Sequence, residues 1–165
     1  MNLFKKVMIL FVIIFHLLLI LFINYSMPNY KAVNIVGAEV KRIDKTKLAQ
    51  DTPELSKDTY FIYVKDNEKS RVYKNEDTRW GFPFYFKFNS ADIQANAVSF
   101  LDEKSLVQIK YYGWRINMLD KFPNIVSIKK LDNINDISNP IFSYIFYILT
   151  LISMIFLISA IIKKK

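Results

Sequence analysis

Few residues in this 165-residue chain are of types that do chemistry. It has one His and no Cys, which excludes thiolate metal sites, cysteine nucleophiles and disulfides. The segment Asn75-Glu76-Asp77-Thr78-Arg79, ahead of Trp80-Gly81, is the densest polar stretch, and Asp92 follows it. Glu76, Asp77 and Asp92 could offer oxygen ligands to Ca²⁺. Their spacing departs from the D-x-[DN]-x-[DN]-G loop, so no metal or other cofactor is expected. Glu76 with Asp92 or Asp102 could serve glycoside hydrolysis if their separation were right. In a polar loop, Asp77 more often accepts backbone hydrogen bonds or pairs with Arg79.

The aromatic residues Trp80, Phe82, Phe84, Tyr85, Tyr112 and Trp114 could form a platform for glycan, lipid or peptide, with Arg115 beside Trp114 for an anionic group. The binding-surface candidates are Trp80, Tyr85, Trp114 and Arg115. Such residues are more often the core of a small domain, or rest at headgroup level beside a membrane. His16 lies within an apolar run, where hydrocarbon offers it no partner. A hydrogen bond to a second apolar helix answers that need. Ser143, Tyr147 and Thr150 share one face at i, i+4, i+7, and the expected partners of His16 are Tyr147 or Thr150.

The elements that must carry these residues are legible in the charge and hydropathy patterns. Val7 to Ile23 runs seventeen residues without a charge, and Ile141 to Ile162 runs twenty-two. At about 1.5 Å per residue both reach membrane-spanning length, the first with Lys5 and Lys6 snorkelling. The first is read as an uncleaved anchor, because its exit Asn24-Tyr25-Ser26-Met27-Pro28 has no small-x-small site. Lys5, Lys6, Lys163, Lys164 and Lys165 supply five of the eight net positive charges. Those clusters flank the spans on their outer sides and are expected to be cytoplasmic. The order is then a basic tail (1–6), a span (7–23), an extracytoplasmic domain (24–140), a span (141–162) and a basic tail (163–165). Between the spans, eighteen basic residues face fifteen acidic ones, so nucleic acid is not an expected partner. The lipid bilayer and an envelope protein or glycan are.

The central segment is mostly of period two. Phe82 to Phe88 places four phenylalanines on alternate positions and predicts a strand with Pro83, Tyr85 and Lys87 on its other face. Thr59–Lys65 and Arg71–Asn75 predict a hairpin around a five-residue loop. Leu106–Tyr112, Ile125–Leu131 and Ala32–Ile43, bulged at Gly37, predict three more strands. One helix is capped by Asn89 or Ser90, with Asp92 in its first turn and a stripe of Ile93, Ala97 and Leu101 thickened by Ala91, Ala95, Val98 and Phe100. The expected fold is mainly β (α+β): a small β-rich barrel or sandwich of about six strands with one packed helix, flanked by two transmembrane α-helices.

Three blocks carry a resemblance: IVGAEVKRID (35–44), VYKNEDTRWGFPFYFKFNSADIQANA (72–97) and YYGWRINMLDKFPNIVSIK (111–129). With the flanking spans they resemble a bacterial family of unknown function, the one numbered fifteen twenty-three among such domains. Arg79 and Phe82 stand where that family has glycine and tryptophan. The resemblance implies a two-span envelope protein with its domain between the spans, and it implies no chemistry. Ser26-Met27-Pro28 also resembles the S-M-x-P motif of membrane signal peptidases, which implies Ser26 as nucleophile and Lys41 as its base, in a dyad that needs a buried lysine of lowered pKa to take the hydroxyl proton. The motif here is one residue short, and the glycine-rich segment after the lysine is missing. Pro28 reads better as a turn at the membrane exit. The sequence thus points to a binding or accessory module rather than an enzyme, with a membrane-anchored hydrolase, Ser–Lys or carboxylate-pair, as the competing class.

Overall fold

The computed structural model describes residues 2–44, 56–66 and 68–163. The chain divides into two units, Met1–Met27 with Pro140–Lys165, and Pro28–Asn139.

The first unit is an antiparallel pair of helices, α1 (Leu3–Ser26) and α3 (Ile141–Lys163). Helix α1 starts four residues earlier than the uncharged run. Asn2 caps it by accepting from Lys5 N at 3.1 Å, and the apolar stems of Lys5 and Lys6 extend the helix. It ends at Ser26, where Met27 N–H returns to Ile23 O and Pro28 follows. Both helices are long and apolar enough to cross a membrane. Their burial pattern is inverted relative to a water-soluble pair. His16, Ser143 and Thr150 are buried, while leucines, isoleucines and phenylalanines all round the surface are exposed. An apolar perimeter with polar residues at the helix–helix seam suits hydrocarbon surroundings.

The second unit is a closed five-stranded barrel of order β1-β2-β3-β5-β4. Strand β1 (Asn29–Asp44) is long enough to serve two neighbours. Its first part pairs with β4 (Leu106–Tyr112), from Asn29↔Tyr111 to Asn34↔Leu106. Its second part pairs with β2 (Ser56–Asp66), from Asn34↔Lys65 to Asp44↔Ser56. The register shifts between Ile35 and Gly37, the bulge expected there, which bends β1 from one partner to the other. Strand β2 turns into β3 (Lys69–Lys74), β4 pairs with β5 (Asn124–Lys130), and a parallel contact Lys74↔Asn124 closes the barrel. Helix α2 (Ser90–Asp102) lies in sequence between β3 and β4. This Greek-key barrel is the topology of the oligonucleotide/oligosaccharide-binding (OB) fold. Topology alone assigns no activity.

The core holds Val33, Ile35, Ile62, Val64, Tyr73, Val107, Ile109 and Ile125 from the strands, and Ile93 and Ala97 from α2. The expected helix stripe holds at Ile93, Ala97, Phe100 and Leu101, whereas Ala91, Ala95 and Val98 face outward. Among the described residues five strands form rather than about six, because Phe82–Phe88 is not a strand. Arg79 and Phe86 adopt left-handed backbone angles (φ 48° and 49°), and the Phe82–Pro83 peptide is cis. Left-handed residues interrupt the alternation that a strand requires. All four phenylalanines, at 50–65% exposure, lie outside the core. The hairpin is tighter than expected, with Asp66 pairing with Lys69.

Ile109 is fully buried. Residues 28–139 expressed alone should melt cooperatively, without sensitivity to EDTA, and Ile109→Ala should cost about 2–5 kcal/mol. Thermal denaturation followed by circular dichroism checks both. A non-cooperative melt would contradict an independent core.

Candidate functional site

The chain between β3 and α2 forms a loop pinched at its neck. Arg79 N donates to Lys87 O at 3.0 Å, and Lys87 N donates to the Thr78 hydroxyl at 3.1 Å. Gly81 N–H to Thr78 O and Tyr85 N–H to Pro83 O tighten its interior. A Cβ at Gly81 would stand 3.1 Å from Thr78 O, so this turn favours glycine.

The Lys87 side chain dives into the domain and is 3% exposed. Its Nζ donates to Asn75 Oδ1 and Ile125 O, each at 2.6 Å. Asn75, fully buried, in turn donates to Ser90 O and to Gln94 Oε1. Gln94 reaches Glu39 O at 3.3 Å, and Asn124 exchanges bonds with the backbone of Glu76. This network ties the loop to β1, β3, β5 and α2. Burial pushes the Lys87 ammonium down to about 8, and Asp77 and Glu76 partly oppose that shift.

With Lys87 turned inward, its neighbours are turned out. Trp80 (75% exposed) lies edge-on to Phe86 and Phe88, at centroid distances of 5.5 and 5.7 Å. Phe86 stacks on Phe84, which meets Phe82 edge-on. Five exposed rings therefore make one continuous ladder. Tyr85 points the other way and stacks on Tyr112 at 5.0 Å. Burial and the neighbouring Tyr112 raise its phenol pKa.

The other sequence-derived candidates are engaged differently. Arg115 donates to Asp120 at 3.1 Å and to Lys121 O, and lies 3.7 Å above the Phe122 ring. It builds the β4–β5 loop, and Trp114 beside it is only partly exposed. Asp77 accepts from Ser90 N at 2.9 Å, serving as the N-terminal cap of α2, because Asn89 makes no side-chain cap bond. Glu76 accepts from the Thr59 hydroxyl, and Asp92 is exposed in the first turn of α2. Asp102 ends that helix. Among the described residues, no group of three metal-ligating side chains is brought together. Ser26 donates to Phe22 O at 2.6 Å. Lys41 is exposed, and the Tyr63 hydroxyl followed by the Glu39 carboxylate raises its pKa, opposite to what a general base needs. His16 Nδ1–H donates to Val12 O (2.7 Å), and its Nε2 lies 3.4 Å from the Ser153 hydroxyl. Its cross-helix partner is thus Ser153 rather than Tyr147 or Thr150. The reason is register. Helix α1 begins at Leu3 and Lys5 reaches Ile162 O, which places Ser153 opposite His16 and Tyr147 opposite Asn24.

Sequence reasoning missed Lys87, Asn75 and Gln94, and with them Phe86 and Phe88 as surface residues. Alternation put Lys87 on the face opposite the four phenylalanines. The one signal for its burial is a lysine enclosed by aromatic residues on both sides.

Fold and site together define a small OB-type barrel, with an exposed aromatic loop, carried between two helices of membrane-spanning length. The chain belongs to the family described as "Protein of unknown function (DUF1523)", whose model matches residues 4–165. An uncharacterized protein of Haemophilus influenzae is 44% identical over 155 residues, 92% of this chain and 89% of the relative. A solved structure titled "Structural basis of subtilase cytotoxin SubAB assembly" aligns with TM-score 0.43 and 12% identity, over 72% of this chain and 98% of that one. A likeness at that level carries no argument about function.

The Lys87 environment predicts a pH signature. Below pH 8 the lysine is protonated in folded and unfolded chains alike, and the full burial penalty applies. Above pH 8 the folded chain releases the proton first, while the unfolded lysine holds it to 10.5. Stability should therefore rise, by about 1–2 kcal/mol between pH 8 and pH 10, before tyrosine ionisation in the unfolded chain opposes it. Lys87→Met should be less stable, since it removes the donor to Asn75 Oδ1 and Ile125 O, and it should lack the rise. Denaturant titrations across this range check the slope. An unchanged slope in the variant would contradict the assignment.

Proposed function

We propose that the protein is a non-enzymatic accessory module of the bacterial envelope, displayed outside the cytoplasmic membrane with both termini in the cytoplasm. It engages another envelope component through the aromatic ladder. The observation that carries this reading is the ladder itself: Trp80, Phe82, Phe84, Phe86 and Phe88, each at least half exposed and held on a loop anchored by the buried Lys87. Contiguous exposed apolar surface of this kind marks interaction sites. Lysine clusters on the outer flank of each apolar helix support the orientation.

Two measurements test it. Alkaline phosphatase fused after residue 70 should be active, and fused at the C-terminus inactive; activity at the C-terminus would overturn the orientation. A photocrosslinking amino acid at Phe84 or Phe86 in cells should give adducts resolvable by mass spectrometry as lipid, glycan or protein, and one at exposed Asn96 on α2 should not. Absence of any adduct along the ladder would overturn the module's proposed contact.

A further inference from the structure

The loop that carries the ladder reaches, through Tyr85 on its other side, the strands by which the chain enters the barrel. Tyr85 stacks on Tyr112 and sits 5.7 Å from Lys110 Nζ. On the adjoining strand, Lys110 pairs with Tyr30 and Tyr111 with Asn29, the first residues of β1. Asn29 is the third residue after Ser26, the last of α1. Only Met27 and Pro28 link the last residue of that apolar helix to the first strand of the barrel.

The β4–β5 loop leaves the barrel at the same end, where Tyr112 pairs with Asn124. Gly113, at φ 84°, turns the chain out of β4. The loop's tip exposes Met118 at 96% and Leu119 at 65%, and the Arg115 contacts described above brace it. Two ordered loops at one end of the barrel thus present apolar side chains.

We infer that this end of the barrel docks on the surface of the lipid bilayer, with Trp80, Phe82, Phe84, Phe86 and Met118 entering the boundary between headgroups and acyl chains. The inference rests on the membrane placement proposed above and names the partner of the ladder. Phenylalanine and methionine carry no hydrogen-bonding groups of the kind a glycan requires beside its stacking rings, but they suit hydrocarbon. The indole N–H of Trp80 suits the headgroup level. Arg79 is exposed at the neck and Lys110 lies behind Tyr85, positions from which cations meet lipid phosphates. The pinned loop loses little freedom on docking, which favours association.

Trp80 is its own reporter, because Trp114→Phe leaves it the only tryptophan in the chain. The full-length W114F protein is reconstituted in vesicles in which phosphatidylethanolamine predominates over phosphatidylglycerol. Side chains of this kind enter about 5–10 Å. Trp80 emission should therefore be quenched more by lipids brominated near the top of the acyl chain than by lipids brominated near the end. It should resist aqueous acrylamide, and the added pair Phe84→Ser and Phe86→Ser, at exposed positions, should restore acrylamide quenching. Strong acrylamide quenching with no response to bromine would overturn the inference. So would shielding from both quenchers, in vesicles and in detergent alike, which would mean that protein covers the ladder. The photocrosslinking at Phe84 then still decides whether the ladder is a contact surface at all, so the two readings fail separately.

Discussion

A single buried ammonium organises the part of this protein that faces outward. Lys87 Nζ donates to Asn75 just after β3 and to Ile125 O in β5, the two strands joined by the parallel contact that closes the barrel. Burying a charge is costly unless hydrogen bonds satisfy it. Here Asn75 and a strand carbonyl do so, with Asp77 and Glu76 nearby to offset the desolvation. Because Lys87 must point inward, Phe86 and Phe88 on either side point outward. Asp77 belongs to the same arrangement, since it caps α2 and thereby fixes where the loop must end. The left-handed Arg79 and Phe86 bracket the loop, conformations that persist where surrounding contacts over-determine them.

The helical unit follows the opposite rule of burial. His16, Ser143 and Thr150 are buried along with Val12 and Ile23, while leucine, phenylalanine and most of the isoleucines lie outside. The bonds at the seam are modest. His16 shares Val12 O within its own helix and reaches Ser153 at 3.4 Å, a geometry suited to holding two helices together.

Regular elements were legible because their periodicities are local. Leu106–Tyr112 alternates cleanly and is β4 to the residue, and the uncharged runs mark both long helices. The bulge at Gly37 showed as a glycine inside an alternating run, and a Cβ there would press to 3.3 Å on the Tyr63 ring. What could not be read was the consequence of long-range pairing. Phe82–Phe88 has the local pattern of a strand, yet β5 takes the place beside β3 and Lys87 is drawn into the space between them. No local rule distinguishes an alternation that faces a core from one that faces outward. The same limit applies to His16, whose partner depends on where α1 begins relative to α3. It applies to Arg115 as well, whose ring contact with Phe122 forms only when the β4–β5 loop closes.

Whether Lys87 pins the aromatic loop specifically decides how the ladder is held. Hydrogen–deuterium exchange of the full-length protein and its Lys87→Met variant measures this directly. If Lys87 holds the loop, exchange in the variant should quicken across residues 78–90 while the amides of β1 and β4 keep their protection. Unchanged exchange in the loop, or equal loss of protection throughout the barrel, would contradict it.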